Sequence, residues 1–157
     1  MGYRERVCKF GSHGGLIGIL TEPTGDAFDQ TDARPAIVVS NVGLNHRSGP
    51  NRLWVEFARR MADKGFVTLR FDLSGLGDSA SRLDMLSTTE RHNADMREAV
   101  EFVLKKKQLS RVALIGLCSG VDPVHAVALE DPRVSNAFFL DGYHYDTPRH
   151  LFNIKFL

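Results

Sequence analysis

The feature that most constrains the fold is an alternation of short apolar runs with amphipathic segments from residue 36 onward. The apolar runs are rich in β-branched residues, as expected for strands buried on both faces, and the intervening segments repeat apolar residues every three or four positions, as helices do. A strand, helix, strand order gives parallel strands joined by right-handed crossovers, so the sequence predicts an α/β fold, a three-layer α/β/α sandwich with a mostly parallel sheet. The predicted strands are 36–41, 66–72, 111–117 and 134–141, and the predicted helices are 50–64, 88–107 and 119–130.

The N-terminal region has a different pattern. Residues 4–10 and 16–23 have the composition of two strands, and the glycines of the intervening "GSHGG" supply the dihedrals of a tight turn. These strands predict an antiparallel hairpin, which brings the sheet to about six strands. The expected organisation is a single domain over residues 1–157, with the hairpin in 1–22, the core in 35–141 and an aromatic-rich tail in 142–157.

Composition limits the classes of function. A chain of 157 residues with 43% hydrophobic residues suits one domain with a substantial core. Twenty basic residues face nineteen acidic ones without a long run of either sign, which argues against nucleic acid and membrane surfaces as partners. No stretch of about 18 apolar residues occurs, so we expect a cytoplasmic protein. Cys8 and Cys118 lack the spacing of a zinc site or a disulfide framework, which predicts reduced thiols, no metal and no cofactor.

The most distinctive short motif is "VALIGLCSG", residues 112–120. Cys118 follows an apolar strand and stands between Gly116 and Gly120, the G-x-nucleophile-x-G spacing of a strained strand-to-helix turn that presents a nucleophile. At the start of the helix, backbone N–H groups favour negative charge, and the N–H of Ser119 is placed to bind an oxyanion. On these five residues alone, a tight turn with Cys118 as a small buried residue remains equally open.

Two further loops give this motif its context. "NVGLNHRSGPNR" (41–52) and "RFDLSGLGDS" (70–79) each follow a predicted strand, where a parallel sheet carries its functional loops. With "GLCSG", these motifs resemble the α/β-hydrolase superfamily, and most closely its serine aminopeptidase-like members, including the hydrolases associated with exosortase systems. The resemblance covers about residues 35–145.

The resemblance implies roles for individual residues. It makes Cys118 the nucleophile and the backbone N–H groups of Leu44 and Ser119 the oxyanion hole. Dienelactone hydrolases of the same superfamily use a cysteine at this position, so the Cys for Ser difference is compatible with catalysis and makes the acyl intermediate a thioester.

The catalytic acid and base are less clearly indicated. The superfamily sheet has about eight strands, with the acid and the histidine after the nucleophile, whereas about six are predicted here, as in a truncated α/β-hydrolase fold. The resemblance then implies a triad of Cys118, Asp141 and His144, which keeps the order nucleophile, acid, base. His150 is the second choice of base.

Other polar residues near these motifs have structural interpretations. Asp72 and Asp78 flank a glycine-rich turn and are expected to accept hydrogen bonds from its backbone. Asp122 lies in the first turn of a helix, where it favours the helix dipole. His46 is expected to shape its loop, and His125 to be packed or exposed on the helix after Cys118.

The function predicted is a hydrolase that cleaves carboxylic esters or thioesters of small acyl groups, with a small-molecule acyl ester as substrate. A peptidase or an acyltransferase of the same superfamily is an alternative. A second alternative is a non-catalytic half-hydrolase scaffold that binds a ligand or assembles with another subunit. Because a sheet ending at the last predicted strand leaves an open edge, and the tail is apolar, we expect a homodimer that covers this edge.

Overall fold

The computed structural model describes residues 2–12, 14–24 and 34–142. The described chain forms one six-stranded sheet with three α-helices, which confirms the predicted α/β class. The strands are β1 (Gly2–Phe10), β2 (Leu16–Thr24), β3 (Ala36–Val39), β4 (Thr68–Phe71), β5 (Val112–Leu117) and β6 (Val134–Leu140). The helices are α1 (Leu53–Asp63), α2 (Thr88–Lys107) and α3 (Val121–Glu130).

The strand order places three loops at one edge of the sheet. The order is β1-β2-β4-β3-β5-β6, with β1 antiparallel to β2 and β2 antiparallel to β4. The pairs β4 with β3, β3 with β5 and β5 with β6 are parallel. Because the C-terminal ends of parallel strands meet at the same edge, the loops that follow β3, β4 and β5 converge there.

Two apolar clusters pack the helices onto the two faces of the sheet. On one face of the sheet, α2 and α3 bury a row of aliphatic side chains that includes Val100, Val103 and Val127 against strand residues such as Leu114. On the opposite face, Trp54 of α1 packs into a smaller cluster with Ile37, Val39, Ala113 and Ile115. Alternate residues of β3 and β5 therefore serve opposite faces, as expected for strands covered by helices on both sides.

Two helix starts differ from the sequence prediction. The helix predicted from residue 50 begins at Leu53, because Asn51 and Arg52 have φ values of 49° and 62° and form a short 3-10 turn with Pro50. The helix predicted from residue 119 begins at Val121, after a 3-10 turn over Cys118–Gly120. In contrast, α2 begins as predicted, since Ser87 and Glu90 form a capping box.

The edge strand β6 carries exposed apolar side chains. Phe138 is 52% exposed and Leu140 45% exposed, and both line a groove of about 610 Å³ between β6 and α1. We call this surface the apolar groove; its lining residues also include Leu53, Phe57 and Ile115. The tail expected to cover this edge lies outside the described residues. Of the helices in the described ranges, none has the length and apolar character needed to cross a membrane.

Candidate active site

The turn after β5 holds Cys118 in an unusual backbone conformation. Leu117 ends the strand in extended conformation, and Cys118 has φ +53°, a left-handed value that non-glycine residues rarely adopt. The turn leads into α3 after only three residues. Cys118 is half-buried and carries a free thiol. Such strain is typical of positions where a side chain is presented for function.

The two glycines around Cys118 are required by close backbone packing. A Cβ atom at Gly116 would lie 2.4 Å from the carbonyl oxygen of Gly120, and a Cβ at Gly120 would lie 2.3 Å from the carbonyl oxygen of Asn41. Neither position accepts a side chain without moving backbone. The glycine spacing is therefore explained by the tightness of the turn, and the strained residue at its apex is Cys118.

The loop after β3 approaches this turn closely. The N–H of Asn45 donates to the carbonyl oxygen of Val42 at 2.9 Å, which closes a turn with Gly43 at φ +52°. The N–H of Gly43 donates to the Oγ of Ser119 at 2.8 Å, so the loop and the cysteine turn are joined directly. Leu44, whose N–H is a predicted oxyanion donor, is at the exposed tip of this turn.

Asn41 anchors the start of this loop. Its Nδ2 donates to the carbonyl oxygen of Asn45 at 2.6 Å, and its Oδ1 accepts the N–H of Leu73 at 2.7 Å. The side chain is buried, so both hydrogen bonds are shielded from water. Asn41 thus ties the loop after β3 to the loop after β4.

Asp72 has a structural role in the loop after β4. Its fully buried carboxylate accepts hydrogen bonds from the backbone N–H of Arg47 at 2.6 Å and of Asp78 at 3.1 Å, and it also pairs with the Arg47 guanidinium. Arg47 bridges to Asp78 at 2.6 Å. Burial opposes the charged guanidinium, but the hydrogen bonds that Arg47 donates to Asp78 and Asp72, with the charges of these carboxylates, outweigh it and raise the pKa of Arg47. Asp72 therefore holds backbone, as the sequence indicated, whereas the Asp78 carboxylate binds the Arg47 side chain.

A cleft of about 600 Å³ opens beside the cysteine turn. Its walls come from the loops after β3 and β4, the first turns of α2 and the start of α3, and its lining includes Leu44, Leu76, Ser119, Asp122 and Pro123. The cleft thus lies next to the predicted oxyanion donors, and its size suits a small acyl group.

His92 also lines this cleft and was not singled out from the sequence. It is half-buried on α2, and burial lowers its pKa, which favours the neutral imidazole; the charges of Asp95 and Asp122 partly offset this effect. A neutral imidazole is able to accept a proton, and the imidazolium that forms is able to donate it. The only signal in the sequence was its position early in the helix that follows a functional loop.

The other predicted acid and base residues are placed as follows. The register of β5 with β6 pairs Leu117 with Leu140, so Cys118 and Asp141 follow neighbouring strand ends. Asp141 is exposed, with φ +50°. The next residue, Gly142, lies against Val121 at the start of α3, since a Cβ there would be 3.0 Å from that side chain. His144 and His150 lie outside the described residues.

His46 and His125 contact residues other than Cys118. His46 is exposed and its Nδ1 accepts the N–H of Ser48 at 3.3 Å, a contact within its own loop. His125 is exposed on α3, with its ring edge-on to Phe139 at 5.7 Å. Across residues 2–12, 14–24 and 34–142, no three His, Cys, Asp or Glu side chains are grouped so as to hold a metal ion.

Comparison with known proteins identifies the fold. No family model matches the chain. An uncharacterized Escherichia coli protein, YcjY, is 27% identical over 109 residues, which are 68% of this chain and 35% of YcjY. The uncharacterized Pseudomonas aeruginosa protein PA2218 is 36% identical over 81 residues, which are 50% of this chain and 22% of PA2218. The chain therefore spans about a third or less of these curated relatives.

Comparison with solved structures shows which fold the chain shares. The crystal structure of PA2218 matches with a TM-score of 0.71 and 26% identity, covering 90% of this chain and 44% of the other. The α/β hydrolase GrgF from Penicillium sp. sh18 has a TM-score of 0.67 at 20% identity, with 88% and 45% coverage. The Pyrococcus furiosus esterase Pf2001 has a TM-score of 0.69 at 12% identity, with 97% and 62% coverage. The described chain therefore has the fold of the α/β hydrolases.

Proposed function

We propose that this chain carries the nucleophile and oxyanion loops of a hydrolase that cleaves carboxylic esters or thioesters of small acyl groups. The observation that carries the proposal is the backbone of Cys118, a non-glycine residue held at φ +53° between β5 and α3. The adjacent cleft of about 600 Å³ supplies room for a small acyl group. The likeness to an esterase and to an α/β hydrolase is consistent with this chemistry.

In the proposed reaction, His144 takes the proton of the Cys118 thiol, and the resulting thiolate attacks the carbonyl carbon and forms a C–S bond, while the carbonyl π electrons move to oxygen. The N–H groups of Leu44 and Ser119 bind this oxyanion. Collapse of the tetrahedral intermediate expels the alcohol or thiol, which takes its proton from His144, oriented by Asp141. Water, deprotonated by His144, then hydrolyses the thioester.

His92 is the alternative base within the described cleft. It lines the cleft with Ser119, and burial lowers its pKa. Comparison of His144→Ala with His92→Ala assigns the role, because loss of the general base lowers kcat by about 100-fold or more. If only His92→Ala lowers kcat, His92 replaces His144 as the base.

Steady-state hydrolysis of p-nitrophenyl acetate and of a small acetyl thioester tests the proposal. We expect Cys118→Ala to remove turnover, and Cys8→Ala, which changes the other thiol, to leave it unchanged. Equal rates for wild type and Cys118→Ala would exclude the hypothesis that the chain is a hydrolase with Cys118 as its nucleophile. Hydrolysis of a peptide substrate in place of both esters would favour the peptidase, and transfer of the acetyl group to an added alcohol in preference to water would favour the acyltransferase.

A second candidate function is assembly with another subunit, and the apolar groove favours it. Phe138, Leu140 and Leu53 expose apolar surface beside β6, which is an edge strand of the sheet in the described residues. Exposed apolar surface of this kind marks an interaction site. The occupant we propose is a second copy of this chain, because symmetric pairing lets one patch cover itself.

A further inference from the structure

One hydrogen bond joins the two backbone segments that carry the proposed oxyanion donors. The N–H of Gly43 donates to the Oγ of Ser119 at 2.8 Å, across 76 positions of sequence. Gly43 and Ser119 both line the cleft next to Cys118. The bond therefore lies where the loop after β3 meets the cysteine turn.

The remaining anchors of this loop act elsewhere. Asn41 binds Leu73 and Asn45, and the N–H of Asn45 binds the carbonyl oxygen of Val42. These contacts fix the start of the loop and close its own turn. In the described part of the chain, the Ser119 hydroxyl provides the hydrogen bond between the tip of this turn and the cysteine turn.

Side-chain packing does not hold the tip of the turn in place. A Cβ atom at Gly43 would meet nothing within 4 Å, and the side chain of Leu44 is 89% exposed. The direction of the Leu44 N–H therefore depends on hydrogen bonds to its neighbours. Oxyanion donors are effective when they are fixed before the reaction, so a bond that holds this tip has a direct effect on them.

We propose that Ser119 is a positioning residue: its hydroxyl binds the N–H of Gly43 and thereby holds the Leu44 N–H and its own N–H towards one oxyanion. This inference rests on the proposed hydrolase function. It gives the Ser119 hydroxyl a role in shaping the oxyanion hole.

Ser119→Ala and Ser119→Thr test the role in catalysis. Because the hole binds the oxyanion more tightly than the ground-state carbonyl, we expect Ser119→Ala to lower kcat for p-nitrophenyl acetate about tenfold or more, with KM changed by less than about twofold. Ser119→Thr keeps the hydroxyl and should restore kcat to within about threefold of wild type. An unchanged or higher kcat in Ser119→Ala, or a change in KM alone, would overturn the proposal.

Amide exchange of Gly43, followed by ¹⁵N-edited NMR on the full chain, tests the hydrogen bond without any activity. We expect exchange in Ser119→Ala to be about fivefold faster or more than in wild type and Ser119→Thr, since a protecting bond is lost. Equal exchange rates in all three proteins would overturn the proposed role of the hydrogen bond from Gly43 to Ser119. If Cys118→Ala leaves hydrolysis unchanged while Gly43 exchange behaves as expected, the proposed function fails. The hydrogen bond from Gly43 to Ser119 then has a structural role only.

Discussion

At the scale of single residues, Cys118 combines backbone strain with a free thiol. Its φ of +53° places Cβ close to the following carbonyl, which costs about 1–2 kcal/mol for a residue with a side chain. Glycine adopts this conformation without the penalty. The proposed role of the Cys118 sulfur gives a reason for a side chain at a position that costs stability.

This strain predicts that glycine is more stabilising than alanine at position 118, the reverse of the order in a regular strand. We expect Cys118→Gly to be more stable than Cys118→Ala by about 1 kcal/mol, measured by urea denaturation, because only alanine retains the strained Cβ. Cys8 is the matched control, since it lies within the extended backbone of β1. There, Cys8→Gly should be less stable than Cys8→Ala by about 0.5–1 kcal/mol. A Cys118→Gly variant less stable than Cys118→Ala would contradict the strained turn.

At the scale of elements, a partly buried carboxylate connects the hairpin to the sheet and to α1. Glu5 of β1 accepts hydrogen bonds from Arg59 of α1 at 2.8 Å and from Arg70 of β4 at 2.9 Å. Burial raises the pKa of Glu5, but the hydrogen bonds and charges of the two guanidinium groups outweigh it and lower the pKa below its ordinary value of 4.5. The folded state therefore binds this proton more weakly than the unfolded state does.

The lowered pKa predicts a pH-dependent contribution to stability. The contribution of Glu5 is fully present above about pH 4.5, its unfolded value, and is lost as the pH falls through the lower folded pKa. We expect Glu5→Gln to reduce the free energy of unfolding by about 1–2 kcal/mol at pH 7, because Arg70 is left buried without its anion. The difference from wild type should shrink below pH 4.5 in urea denaturation.

Glu130→Gln is the matched control for this prediction. Glu130 pairs with Arg97 between two exposed side chains, and such surface pairs contribute about 0–1 kcal/mol. Its substitution should change stability little at either pH. A Glu5→Gln difference that stayed constant from pH 7 to pH 3 would show that the carboxylate charge is not what connects these elements.

The elements and the position of the cysteine turn could be predicted from sequence because their signals are local. The apolar run before Gly116 predicts a buried strand, and the glycines predict the tight turn. The bond from Gly43 to Ser119 could not be predicted, since it joins distant positions through a hydroxyl with many possible partners. His92 was missed because the helix face that borders the cleft is set by the packing of α2 on the sheet.

Helix starts were less predictable than helices for a similar reason. The proline at position 50 indicated a helix start, but Asn51 and Arg52 adopt left-handed dihedrals and delay it to Leu53. Such dihedrals depend on contacts between the loop and the rest of the protein. At Gly49, for example, a Cβ atom would lie 2.6 Å from the indole of Trp54. Local propensity does not contain that information.

At the scale of the whole molecule, β6 forms one edge of the described sheet and the chain covers 44% of the PA2218 structure. The apolar groove and the edge strand β6 form one continuous surface. Surfaces of this kind are covered by further chain or by a partner in stable assemblies. We propose a second copy as that partner.

Light scattering after size exclusion tests the proposed pairing. We expect the full chain to elute as a dimer, and Phe138→Lys to shift it to monomer, because a buried ammonium group opposes burial of the groove. Leu129→Lys is the control, since Leu129 is 75% exposed on α3 and does not line the groove. A wild-type monomer at high micromolar concentration, or a dimer that Phe138→Lys leaves intact, would contradict the pairing.

The central claim is that Cys118 is an acyl-accepting nucleophile, and mass spectrometry of the acetylated protein tests it most directly. After brief exposure to p-nitrophenyl acetate and acid quenching, we predict one acetyl group on the Cys118 peptide, removable by neutral hydroxylamine as a thioester is. The adduct should persist in Cys8→Ala and be absent in Cys118→Ala. In His144→Ala, which lacks the proposed base, it should accumulate further because hydrolysis of the thioester is slowed. An acetyl group that maps to Cys8 or to lysines alone, or an adduct that Cys118→Ala retains, would contradict the account.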